Sequence, residues 1–206
     1  EEVTKRFREM VHSAIEQFNA RNPGRAESIL SLATQMIENG KVKAAFADNL
    51  RGASAYLDPE ALRWAAERPE TFKALRSVLS FFTPLSPEGL IRSLREETDE
   101  AVRRDAEALL GVHGSAARAV AFDTLAREPL TAPSGLLISL LRALRRIPQA
   151  PAGPGASGPV AGVAASEADV LIRFAGRGAD PAVAAQAIYC LGQSKEDRAE
   201  RALLAL

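Results

Sequence analysis

Few residues in this chain are of types that do chemistry, and their spacing limits what each can do. Gly153-x-Gly155-x-x-Gly158 has the spacing of a dinucleotide-binding loop. That chemistry needs a strand feeding the loop and a helix N-terminus facing the pyrophosphate. Here prolines surround the glycines and no strand precedes them, so the match is formal only. His12, His113 and Cys190 are the side chains suited to nucleophilic or metal chemistry. The histidines lie far apart without ligand spacing, and a pairing of His113 with Cys190 would need the fold to join distant helices. Both histidines read as structural, His113 as a hydrogen-bonding group at a helix end. The acidic run Glu96-Glu97-x-Asp99-Glu100 reads as a solvated turn, its carboxylates near a helix N-terminus where the macrodipole favours them. No Walker lysine motif, H-E-x-x-H, C-x-x-C or G-x-S-x-G occurs. The expectation is a chain with no catalytic residues, no metal site and no cofactor.

Arg142, Arg145 and Arg146 are the charges with the most to say. On a helix over 133–147, Leu136, Leu137, Leu140, Leu141, Leu144 and Ile147 cover one broad face, and the three arginines gather opposite. No Asp or Glu occurs between Glu128 and Glu167. Two readings stand. The arginines form a binding face for an acidic surface or a phosphate, which guanidinium groups recognise through paired N–H donors. Alternatively they are solvated and favoured near a helix C-terminus by its dipole. Of the rare aromatics, Trp64 between Leu62 and Ala65 reads as core. Tyr189 reads either as packed or as a partly exposed anchor, and Phe81-Phe82-x-Pro84 as a packed helix end.

Composition narrows the function classes. The chain has 206 residues, and 26 basic side chains balance 26 acidic ones. An isoelectric point near 7.1 argues against a dedicated nucleic-acid binder, which carries a basic excess. One cysteine excludes an internal disulfide or a cysteine-rich zinc site, and fits a reducing compartment, so the expected location is cytoplasmic. No apolar run is long enough to span a bilayer, and no signal peptide is visible. The chain begins at Glu1 without methionine, which points to an excised or processed form. Its hydrophobic fraction of 47% is mostly Ala and Leu, both strong helix formers. Arginine far outnumbers lysine, as a GC-rich bacterial genome would supply.

The elements that must position these residues are helices with legible ends. Asp58-Pro59, Ser86-Pro87 and Asp180-Pro181 each put a capping side chain before a proline at the first helical position. Ser166-x-x-Asp169 and Ser194-x-x-Asp197 resemble capping boxes with Asp in place of Glu. Helices are predicted at about 3–20, 24–39, 41–56, 59–67, 70–82, 87–96, 99–111, 115–127, 133–147, 166–176, 181–192 and 195–206. Val78–Phe82 is the best strand candidate, but the stripe Phe72, Leu75, Leu79, Phe82 favours helix. Residues 148–165 hold four prolines and four glycines without a charge and read as a mobile loop.

Residues 99–125 repeat at 180–206, an offset of 81. Asp99-x-Ala101-Val102 lies over Asp180-x-Ala182-Val183, Ala106 over Ala187, Leu110-Gly111 over Leu191-Gly192, Leu125 over Leu206, and Leu90-Ile91 over Leu171-Ile172. Two helix pairs of about 40 residues each would fill that offset. In D-x-A-V-x-x-x-A-x-x-x-L-G the Asp caps the helix, Val, Ala and Leu share one face, and the small Ala admits a neighbouring helix. This motif resembles the second helix of HEAT-like repeats, the group that includes phycobilisome-lyase-type repeats. The resemblance covers about 86–127 and 166–206; Leu136–Ile147 takes the matching place between them without the D-x-A-V start. Residues 1–82 fit poorly and read as degenerate repeats or a helical N-terminal cap. The expected domains are therefore 1–82 and 83–206, the latter interrupted by the loop 148–165.

What the resemblance implies is an all-α, right-handed α-solenoid, with first helices on the convex face and second helices on the concave face. Such arrays usually bind other proteins. The expectation is a non-catalytic interaction scaffold whose partner is another protein with an acidic surface. Arg103, Arg104, Arg142, Arg145, Arg146 and Tyr189 are its expected contact residues. The final helix, 195–206, has the look of a first helix lacking its partner. Two other readings are an enzyme on helical repeats (lyase-like or DNA-glycosylase-like), and nucleic-acid or anionic-surface binding through the arginines.

Overall fold

A computed structural model describes residues 2–148, 166–194 and 196–205. Twelve α-helices lie among them: α1 Glu2–Asn19, α2 Pro23–Glu38, α3 Ala44–Arg51, α4 Pro59–Ala66, α5 Phe72–Phe81, α6 Pro87–Glu96, α7 Glu100–His113, α8 Ser115–Arg127, α9 Ser134–Arg146, α10 Glu167–Ala175, α11 Pro181–Gln193 and α12 Asp197–Ala205. No strand occurs among the described residues beyond an isolated bridge between Arg177 and Ala179. The fold is all-α. The stretch 149–165, with its glycine spacing, lies outside the described residues.

The helix starts follow the capping logic of the sequence. Asp58 accepts from the Glu60 amide, Asp99 and Asp180 each accept from two first-turn amides, and Ser166 accepts from Asp169. Ser86 accepts from the Gly89 amide at the start of α6. Ser194 bonds Glu196 instead of Asp197, because α12 begins later than expected. The expected helix over 41–56 is broken into α3 and a 3-10 turn, Ala53–Tyr56. Gly40, at φ +64°, ends α2 with a Schellman turn, and extended Lys43 delays the restart. The same turn closes α1, with Arg21 at φ +63° where glycine is usual. Val78–Phe81 completes α5, as the helical stripe requires.

The chain divides into two compact units, Glu1–Leu90 and Ile91–Leu206. The division falls inside α6, later than the expected 82/83 boundary. The 3-10 turn Thr83–Leu85 packs on α5, and the first turn of α6 folds back onto it so closely that a Cβ at Gly89 would overlap Thr83 and Pro84. In the first unit α1 and α2 form a hairpin and α5 packs on α2. Phe7, Phe18, Phe82, Leu75 and Leu79 are its largest fully buried side chains.

The second unit is built in two layers. α8, α10 and α12 lie in one, and α7, α9 and α11 in the other. α9 is central and buries Leu136, Leu137, Leu140, Leu141 and Leu144. Neighbours within a layer run in the same direction. Arg103 meets Gly135 and Glu107 meets Ser139, so α7 and α9 are parallel. Ser134 meets Asp180 and Cys190 meets the Leu141 carbonyl, so α9 and α11 are parallel too. In the other layer Arg118 of α8 pairs with Glu167 of α10, and Arg173 of α10 donates to the Leu125, Ala126 and Glu128 carbonyls that end α8.

The helix starts revise the repeat arithmetic. The N-cap residues of α7, α9 and α11 are Asp99, Pro133 and Asp180, steps of 34 and 47 residues. Together they make the sequence offset of 81. The steps are unequal because the second contains the stretch 149–165. Two pairs of about 40 residues each are not what the fold contains.

Candidate interaction face

The expected contact residues sit on α7, α9 and α11, the three parallel helices of one layer. The structure gathers five of the six into two groups, Arg104, Arg142 and Arg146 around carboxylates of α7, and Arg145 with Tyr189 toward α11. Glu107 is the hub. Its side chain is 3% exposed, and it accepts from the Ser139 hydroxyl at 2.8 Å, from Arg142 at 3.3 Å and from Arg146 at 3.4 Å. A carboxylate so removed from water needs donors, and these three side chains supply them. Arg142 also lies 3.8 Å from Glu100, which pairs with Arg104 at 3.4 Å. On the other side of α9, Arg145 donates to Gln186 of α11 and its guanidinium stands 5.3 Å from the Tyr189 ring centroid. Stacking of this kind holds a guanidinium without neutralising it.

Arg103 joins neither group. It donates to the Glu97 carbonyl and lies against the first turn of α9, where a Cβ on Gly135 would overlap its guanidinium. Its Nη1 is buried without a hydrogen-bond partner among the described residues. Position on the corresponding helix was therefore not enough to place its side chain with Arg142, Arg145 and Arg146.

α11 carries a different chemistry. It holds no charged residue from Pro181 to Gln193. Its inner face buries Val183, Ala187, Cys190 and Leu191. Its outer face exposes Ala182, Ala185, Ile188, Tyr189 and Gly192, with Tyr189 61% and Ile188 40% exposed. Val102, the repeat equivalent of buried Val183, is half-exposed. α9 packs along α11, whereas α7 is the first helix of its layer in this unit.

The remaining chemical side chains take structural places. Cys190 is buried and donates to the Leu141 carbonyl at 3.3 Å. Burial, with a smaller push from Glu167, raises its thiol pKa to about 11, against the pull of Arg118 and Arg145. Such a thiol stays protonated and unreactive at neutral pH. His113 is buried at the end of α7, and exposed His12 pairs with Glu16 at 3.3 Å. Asp99 of the acidic run caps α7, and Glu97 accepts from the Asp99 amide. Trp64 is half-buried rather than core, with the guanidiniums of Arg68 and Arg21 at 4.5 and 5.7 Å from its ring. A groove of mixed polarity, about 610 Å³, lies between α2, α3 and α5 in the first unit. Among the described residues no cluster of His, Cys, Asp or Glu could hold a metal, and no helix is long and apolar enough to cross a membrane.

Glu107 is the residue that sequence reasoning missed. The chain offers the arginines no counter-charge between Glu128 and Glu167, but a carboxylate reaches Arg142 and Arg146 from the parallel helix. The signal was a polar residue inside each of two apolar runs, Glu107 in Ala106–Leu110 and Ser139 in Leu136–Leu141. Compared with family models, curated proteins and solved structures, the chain matches none.

Proposed function

We propose that the chain is a cytoplasmic, non-catalytic scaffold that binds another protein on the layer formed by α7, α9 and α11. In this reading the second unit is a short right-handed solenoid of HEAT-like pairs, that layer is its concave side, and the first unit is a helical cap. The observation that carries it is the outer face of α11. A helix with apolar residues on both faces and no charge belongs in an interior, yet α11 leaves Ile188 and Tyr189 in water. An exposed aromatic held in place by a neighbouring guanidinium has the character of an interface anchor. The balanced charge, 26 against 26, favours a protein over a nucleic acid as the partner.

Native mass tests the reading. The protein, at 22.0 kDa, is sized in the lysate of the cells that make it, beside Ala185→Arg and Ala119→Arg. Residue 119 is an exposed position on α8, in the opposite layer. The wild type and Ala119→Arg are expected in a heavier complex, and Ala185→Arg at its own mass. A wild type that runs alone, or an Ala185→Arg that keeps the complex, contradicts the proposal.

A further inference from the structure

Three features of the α9–α11 surface select a partner. The exposed positions 182, 185, 189 and 192 of α11 recur at steps of three, four and three residues. That is the spacing of a seam for another helix. Ala182, Ala185 and Gly192 allow close approach, while Tyr189 and Ile188 supply apolar area. One flank of the seam is positive. Arg145 has only the neutral partners Gln186 and Tyr189 among its described contacts. Arg142 and Arg146 share the single carboxylate of Glu107, while Glu100 is divided between Arg142 and Arg104. No acidic side chain on α11 answers these charges, so a second copy of the same face brings none from its own α11.

We infer that this surface docks an amphipathic helix of a partner protein, with its apolar stripe on Ala182, Ala185, Tyr189 and Gly192 and an acidic flank against Arg145. The inference rests on the scaffold reading and adds the partner's chemistry. The apolar stripe supplies contact area and the acidic flank sets orientation and discrimination, since like charge against Arg145 is penalised.

The test uses the full chain and two synthetic, fluorescein-labelled helical peptides of three heptads. Both carry Leu at a and d; one has Glu along one flank, and its twin has Lys there. Fluorescence anisotropy is expected to show the Glu peptide binding at least about tenfold tighter than the Lys twin. Ala185→Arg, which plants a charge in the seam, is expected to weaken the Glu peptide by about tenfold or more. Arg145→Glu is expected to reverse the preference while leaving far-UV ellipticity unchanged. Equal binding of the two peptides, no binding at about 1 mM, or indifference to Ala185→Arg overturns the inference. So does sedimentation showing a dimer that Ala185→Arg dissolves, because the occupant is then a second copy. If the native-mass complex persists while the peptides bind equally, the acidic helix fails and the scaffold reading stands.

Discussion

Removing Arg142 and Arg146 together should cost far more than the two single changes imply. Glu107 is 3% exposed and has two guanidinium partners, of which Arg142 is 28% and Arg146 57% exposed. Arg142→Ala or Arg146→Ala leaves the other guanidinium and Ser139 in place. Both arginines are partly solvated, so each single change should cost about 1 kcal/mol or less. The double change leaves a buried carboxylate with one hydroxyl donor, and uncompensated buried charges cost about 3–5 kcal/mol. The coupling should therefore exceed about 1 kcal/mol. The chain's single cysteine lies in the same unit, buried against α9. Its protection from a thiol reagent, followed against urea, reads this unit without the other. With a slope of about 2 kcal/mol per molar urea, the single changes move the midpoint by about 0.5 M or less, and the double by about 2 M. A double variant that shifts only by the sum of the singles would refute the claim that Glu107 depends on both.

Other predictions test neighbouring parts of the account. Cys190 keeps its proton in the folded state up to about pH 11, whereas an unfolded cysteine loses it near about 8.5. The folded state therefore binds the extra proton, so stability is full below about pH 8.5 and falls as pH rises toward 11. Urea midpoints across that window should fall for the wild type and fall less for Cys190→Ala. Arg21 and Gly40 hold the same left-handed turn. Arg21→Gly relieves about 1 kcal/mol of backbone strain but loses a stack on Trp64 of similar size, so its thermal midpoint should barely move. Gly40→Ala gains nothing in return and should cost about 1 kcal/mol by the same measurement. Asp180→Ala removes acceptors for the Ala182 and Val183 amides and should cost about 1 kcal/mol in chemical denaturation.

Local signals carried most of the fold. Asp58, Asp99, Ser166 and Asp180 cap the helices they were expected to cap, because a cap depends on residues two or three positions away. Positions 44–51 show the limit, since Lys43 is extended after the Gly40 turn and no nearby cap marks the break. The repeat is visible as an offset of 81 residues, but not as steps of 34 and 47, because the middle pair lacks the Asp-x-Ala-Val start. Side chains that cross between helices were the least legible. The three arginines of α9 look unopposed along the chain, yet the carboxylate that meets Arg142 and Arg146, Glu107, lies one helix away in the layer. Arg103 shared their helix layer and still turned toward Glu97 and Gly135. A charge reversal at Arg142 or Arg146 would set a second carboxylate beside Glu107, so lost binding there would report damage to the unit. Arg145 and Ala185 probe the face more cleanly.

The central claim is that a partner occupies the outer face of α11, and site-specific photo-crosslinking tests it most directly. A benzophenone amino acid is placed at 185 on α11 and, separately, at 119 on α8, and cells are irradiated before lysis. The account predicts a protein adduct of defined mass from position 185 that position 119 does not give, with the crosslinked peptide mapping to an acidic amphipathic helix. No adduct from 185, or the same adducts from both positions, would contradict it.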